Sequence, residues 1–234
     1  MSDQVRVKLC GLRRPEDVNA AVDAGADYLG FVLALGSPRT LTSEELAALR
    51  DGTRTGTART VGVFRDQPAA WINAVVRSCG LDFVQLHGHE PRDFPAALDV
   101  PVLRVLRVKS AIRVEARAPA ARLAGATDLP ADPWARVPLA PNVFAALVDV
   151  EDAVGRSGGL GLAADPSALA ALFATLTLET RVFLSGGLAP GTVAEAVRRY
   201  RPFAVDVSSG IESAPGVKDT ARLAAFVAAA KGAT

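Results

Sequence analysis

The chain is short of the residue types that most readily mark a site. Its 234 residues include two cysteines, Cys10 and Cys79, and two histidines, His87 and His89. Two thiols make no disulfide framework. Together with an N-terminus, "MSDQVRVKLCG", that has no apolar signal core, they point to a reducing compartment, the cytoplasm, and to a free thiol at Cys10. A His-x-His pair with no cysteine nearby falls short of a structural zinc set, so no metal is expected. A charge excess is missing too. Twenty-six Lys plus Arg face 25 Asp plus Glu, a net +1 that offers no broad attraction to nucleic acid or to an anionic membrane. No apolar run is long enough to span a bilayer. An anionic ligand would therefore have to be held by a few well-placed groups.

Apolar residues are plentiful, at 50% of the chain, enough to fill a sizeable core. They fall into eight short β-branched runs separated by Ala- and Leu-rich helical stretches. The first four runs are Val5 to Cys10, Tyr28 to Leu33, Thr60 to Phe64 and Asp82 to His87. The second four are Pro101 to Val108, Ala145 to Val150, Arg181 to Gly186 and Phe203 to Gly210. Strands so continuously apolar are buried on both faces, which argues for parallel pairing. "RPEDVNAAVDAGA" has Pro15, Glu16 and Asp17 for a first helical turn, and "TSEELAALRD" opens on a hydroxyl cap with acidic residues behind it. "DQPAAWINAVVRSCG", "DPSALAALFATL", "APGTVAEAVRRY" and "GVKDTARLAAFVAAA" have the same character, while Ser110 to Pro141 reads as a poorly defined helix and a long loop. Eight alternations in this length predict a single-domain (β/α)8 TIM barrel over residues 1–234, with an open doubly wound sheet as the alternative.

A barrel places function at the C-terminal ends of its strands. Lys8 and Cys10 share parity on the first strand, and a lysine facing the interior needs a carboxylate or a ligand beside it. Its charge would favour thiolate at Cys10; the plainer alternative is that Cys10 is a small buried apolar residue. Arg39, before the second helix, can fork onto a carboxylate or phosphate or be an ordinary surface arginine. Gln85 and His87 share a face at the end of the fourth strand and are candidate polar groups of the lumen, with His89 solvated. Asp149 closes the sixth strand and can be a general acid or simply a cap or ion-pair partner. Three consecutive strand ends then carry glycine: Gly158 and Gly159, Gly186 and Gly187, and Ser208, Ser209 and Gly210. Glycine lets backbone N–H groups approach an anion, and the loops after the last strands of such a barrel are its usual phosphate seat. Cys79, near a helix end, is expected to pack in the core.

Taken together, "VKLCGLRRPEDVNAAVDAGADYLGFV", "SPR", "VGVF", "VQLHG", "LSGGL" and "VDVSSGIESAPGVKD" resemble the phosphoribosylanthranilate isomerase family of tryptophan biosynthesis, in that family's order and over nearly the whole chain. The resemblance implies an Amadori rearrangement of an aminoaldose 5-phosphate, with no cofactor. It implies Cys10 as general base, Asp149 as general acid, Arg39 on the anthranilate carboxylate, and the glycine-rich ends around the phosphate. It makes the partner a small phosphorylated aminosugar, and it leaves monomer or homodimer open. One departure stands out. Where the family usually reads Gly-Gly-Thr/Ser-Gly, this chain has "GGLG", with Leu160 in the hydroxyl position. A non-catalytic or repurposed phosphosugar-binding barrel is the alternative that this change favours, and the retained Cys10, Asp149 and Arg39 oppose it.

Overall fold

The computed structural model describes residues 4–109, 142–151 and 181–233. Eight strands, β1 (Arg6–Cys10), β2 (Tyr28–Val32), β3 (Arg59–Phe64), β4 (Phe83–Leu86), β5 (Val102–Lys109), β6 (Val143–Glu151), β7 (Val182–Leu184) and β8 (Ala204–Val207), close into one barrel in sequential order. Every neighbouring pair is parallel, and β8 returns to β1 with Lys8 opposite Asp206. The barrel prevails over the open sheet because no strand is left at an edge.

The alternation of side chains separates two cores. Val7, Leu9, Leu29, Phe31, Val84, Leu86, Val148 and Val205 face outward into the layer packed by the helices. Tyr28, Val61, Leu103, Val105, Leu147 and Phe183 fill the interior. Phe144 and Phe203 pack at the edge of this inner cluster, with the Arg181 guanidinium 4.7 Å from the Phe144 ring centroid. The barrel is a packed core rather than a pore.

Helices α1 (Pro15–Asp23), α2 (Ser43–Asp51), α3 (Ala69–Cys79), α4 (Val193–Tyr200) and α5 (Thr220–Lys231) lie where the apolar periodicity places them. Pro15 stands at the start of α1, and Thr42 and Glu45 form a complete capping box on α2. Gly80 ends α3 in the left-handed conformation, and Asp219 caps α5. None of the described helices is long and apolar enough to cross a membrane.

Two expectations are corrected. β7 stops at Leu184 and β8 at Val207, short of the expected ends at Gly186 and Gly210, and Ser209–Ile211 is a single tight turn. Beyond it a small antiparallel ribbon, β9 (Glu212–Ala214) and β10 (Val217–Lys218), folds back before α5. The segment Ser110 to Pro141, the stretch "DPSALAALFATL", and Gly158, Gly159 and Leu160 lie outside the described residues.

Candidate active site at the barrel mouth

Cys10 ends β1 and packs with Val32 of β2 and Val63 of β3. These side chains come from three successive strands and form a small apolar cluster separate from the one packed by the helices. Gly30 pairs with Cys10 across the strands, and a Cβ there would stand 2.8 Å from the Cys10 sulfur. The absence of a side chain at Gly30 gives the thiol its place.

Lys8, two residues earlier, is fully buried, and its Nζ donates to Asp206 Oδ1 at 2.8 Å. The carboxylate that an inward lysine demands is therefore Asp206. Burial alone would lower the Lys8 pKa, but the negative charges of Asp206 and Cys10 outweigh it and raise it. For Cys10 the balance goes the other way from the expectation of a thiolate. Burial pushes the thiol up, Lys8 pulls it down, Asp206 pushes it up again and Lys218 pulls it down; burial prevails. Lys8 itself, expected among the ligand-contacting residues, presents no surface to the mouth. What it touches is Asp206 and the field at Cys10.

The opposite wall is built on Asp149. Ser185 Oγ donates to its Oδ1 at 3.1 Å, and His87 Nε2 lies 3.3 Å from its Oδ2. β5 stands between β4 and β6, so the His87–Asp149 contact reaches past an intervening strand. Gln85 Nε2 sits 3.3 Å from His87 Nδ1, and Arg107 on β5 donates to the backbone carbonyls of His87 and Gly88 at 2.7 and 3.0 Å. Gln85 and His87, expected to line the lumen, are both buried, and the chain Gln85–His87–Asp149–Ser185 ties three strands together. His89 points outward with its side chain 88% exposed.

Arg39 is buried and meets a carboxylate of its own protein. Its Nε and Nη2 donate to Glu212 Oε1 and Oε2, each at 2.8 Å. Lys218 Nζ donates to the same Oε1 at 2.8 Å and to the Ser208 carbonyl at 3.0 Å. Burial would raise the Glu212 carboxyl, but the hydrogen bonds and charges of Arg39 and Lys218 hold it below the ordinary range, whereas burial lowers Lys218. The stem of Arg39 crosses Gly11, where a Cβ would come within 2.6 Å of its Cδ. That puts the guanidinium beside the thiol-bearing end of β1.

The glycine-bearing ends of β7 and β8 complete the mouth. Gly186 and Gly187 adopt φ of 91° and 66°, a turn that L side chains resist. A Cβ on Gly210 would run into the Leu188 carbonyl, so that glycine lets the two loops touch. Ser208, Ser209, Gly210, Gly186 and Gly187 are all partly open to solvent. A cavity of about 180 Å³ lies against this turn, lined by Ser185, Gly186, Gly187, Thr192 just before α4, and Glu195 on it.

Reading the sequence missed Asp206, Glu212, Lys218, Ser185 and Arg107. Asp206 was within reach of that reading, since Lys8 calls for a carboxylate and "AVDV" offers one on a barrel strand. Glu212 and Lys218 carried no such signal, because they sit on a ribbon of three- and two-residue strands. Cys79 is buried and free, as expected.

A family model described as N-(5'-phosphoribosyl)anthranilate (PRA) isomerase matches residues 7–229. The N-(5'-phosphoribosyl)anthranilate isomerase of Geobacter sulfurreducens is 40% identical over 229 residues, covering 97% of this chain and 99% of that one. The crystal structure of phosphoribosyl anthranilate isomerase from Thermus thermophilus matches with a TM-score of 0.75 at 35% identity, over 96% of this chain and 98% of that one. A structure of such an isomerase in complex with reduced 1-(o-carboxyphenylamino)-1-deoxyribulose 5-phosphate matches with a TM-score of 0.74 at 29% identity, over 97% and 99% of the two chains.

Proposed function

The chain belongs to the N-(5'-phosphoribosyl)anthranilate isomerase family, enzymes of tryptophan biosynthesis, and from that premise we propose that its barrel mouth rearranges phosphoribosylanthranilate with Cys10 as base and Asp149 as acid. The observation that carries this reading is the placement of a thiol and a carboxyl group at the ends of β1 and β6, the thiol in an apolar cluster apart from the helix layer and the carboxyl group in contact with His87 beyond β4.

The chemistry needs one of each. A proton delivered to the furanose ring oxygen opens the ring to an iminium ion. Removal of the proton from the adjacent sugar carbon then gives an enolamine, which becomes the aminoketose. Nothing is oxidised or reduced overall, and a positioned acid and base suffice. Asp149 is held by Ser185 and His87, which fix the direction in which it offers its proton. Cys10 is confined by Gly30 behind it and by Val32 and Val63 beside it. Only the molecules in which Cys10 has already lost its proton to solvent can act as base, and Lys8 and Lys218 stabilise that thiolate against the cost of burial.

The substrate is anionic at both ends. Arg39, beside the thiol, suits the anthranilate carboxylate, and the partly open backbone of Gly186, Gly187, Ser209 and Gly210 suits the phosphate, with Gly158 and Gly159 assigned there by resemblance. The related isomerase crystallised with a reduced carboxyphenylamino-deoxyribulose phosphate supports a small phosphorylated aminosugar as the ligand. The same reading takes residues 1–234 as one domain without cofactor or metal, in the cytoplasm, as a monomer or a homodimer.

Purified protein added to fresh phosphoribosylanthranilate should remove its anthranilate-type fluorescence. Cys10→Ala and Asp149→Asn should each slow kcat by about 10²–10⁴-fold. Near-normal turnover in either variant would overturn that residue's role, and a wild-type protein without turnover would favour the non-catalytic barrel.

A further inference from the structure

We propose that Glu212 is a positioning residue for substrate specificity: it grips one edge of the Arg39 guanidinium so that the adjoining Nη1–Nη2 edge is presented, rigid and oriented, to the carboxylate of the aminosugar's aryl group. This rests on the assignment of Arg39 to that carboxylate and adds what makes the assignment workable.

A guanidinium has five N–H donors in a planar fork and can engage carboxylates along more than one edge. Glu212 takes the Nε–Nη2 edge with both oxygens at 2.8 Å. Nη1 makes no hydrogen bond among the described residues, so the edge it shares with Nη2 is the one left for a ligand. Arginine's flexible stem ordinarily loses several rotamers on binding; here the loss is incurred in folding, with the stem laid across Gly11 and the head clamped. An Arg–Glu pair alone would be neutral and would present a second carboxylate with the repulsion of the first. Lys218 removes that objection. Its Nζ, 2.8 Å from Glu212 Oε1, makes the cluster two cations around one anion.

The ribbon that carries Glu212 and Lys218 is fastened to the loop that follows the thiol and to the loop that carries Arg39. A Cβ on Gly216 would come within 2.6 Å of the Pro38 carbonyl, so backbone lies directly on backbone next to Arg39. Arg13 Nη1 donates to the same Pro38 carbonyl at 2.9 Å, and Arg14 Nη2 donates to the Lys218 carbonyl at 3.1 Å. Glu212 is thus held from its own side, 173 positions from the arginine it orients.

The test compares two substrates, phosphoribosylanthranilate and the N-phenyl ribosylamine 5-phosphate that lacks the carboxylate. Wild-type protein should prefer the former, and Arg39→Ala should erase the preference. Glu212→Gln keeps the shape and one acceptor but loses the charge. It should cut the preference by about tenfold or more, chiefly through a higher KM for phosphoribosylanthranilate, with a much smaller change in kcat/KM for the carboxylate-free substrate. Should Glu212→Gln fail to fold, Glu212→Asp retains the charge but pulls the fork out of reach, and the same comparison applies. An equal loss on both substrates, or an unchanged KM for phosphoribosylanthranilate, would overturn the proposal. If Arg39→Ala leaves the preference intact, the carboxylate assignment itself fails; if only the Glu212 variants do, the brace alone fails.

Discussion

At the scale of single residues, the most informative group is Cys10, because two effects that reading the sequence could only name are set against each other in the structure. A neighbouring lysine stabilises a thiolate, and removal from water destabilises it. Lys8 does pull the thiol down, yet burial and Asp206 leave the Cys10 pKa above its ordinary value. The protein without substrate is therefore expected to keep Cys10 as a thiol at neutral pH. Iodoacetamide labelling followed by mass spectrometry across a pH series should show Cys10 alkylation rising with a midpoint above the usual thiol value of about 8.5. A midpoint near 7 would mean that Lys8 and Lys218 prevail over burial. The place of Cys10 at the end of the first strand, on the face it shares with Lys8, was legible in the Lys-x-Cys-Gly pattern and its strand parity. The sign of its pKa shift was not, because burial and the position of Asp206 belong to the folded neighbourhood.

At the scale of elements, legibility followed the strength of local signals. α2 was readable from "TSEEL", because a hydroxyl followed three residues later by a glutamate satisfies donors at a helix start whatever the rest of the chain does. The Thr42 backbone N–H donates to Glu45 at 2.8 Å, and the Glu45 N–H donates to Thr42 Oγ1 at 3.1 Å. Thr42→Ala should cost about 1 kcal/mol in urea unfolding and leave KM and kcat unchanged, since the hydrogen bonds of the cap run between Thr42 and Glu45 and none of them reaches a residue of the site. A loss of activity without loss of stability would show that the cap serves the site rather than the helix. The ribbon β9–β10 shows the opposite case. Its "SAPG" tip and exposed Ser213, Ala214 and Val217 read as loop, and its register depends on lying against Pro38 and Arg14 from the first two strand–helix loops. The overlong β8 has the same origin. "VSSG" follows directly on an apolar run, whereas in the fold the chain turns at Ser209–Ile211 with Gly210 close against the Leu188 carbonyl.

At the scale of the whole molecule, the barrel closes where its first and last strands meet, and the seam is held by a buried ion pair between residues 198 positions apart. The eight-strand count and parallel order were visible in the spacing of apolar runs, but nothing local says that β8 must return to β1. Lys8 is the exception. An inward lysine on the first strand implies a distant carboxylate, and on β8 that carboxylate is Asp206. A pair so deeply buried need not add stability over an apolar pair, but removing one partner strands the other. Asp206→Asn should therefore lower the unfolding free energy by about 3–5 kcal/mol, and the double change Lys8→Met with Asp206→Leu should recover much of it without restoring turnover. The pH dependence follows the raised Lys8 pKa. The native state binds this proton more tightly than the unfolded chain, so the contribution is complete below the unfolded lysine value of about 10.4 and is lost as pH rises through the higher native one. Denaturation midpoints of the wild type should fall steeply above that value, and those of the double variant should fall less. If Asp206→Asn unfolds within about 1 kcal/mol of the wild type, the seam is held by backbone pairing and packing, and Lys8 is retained for its charge beside Cys10 alone.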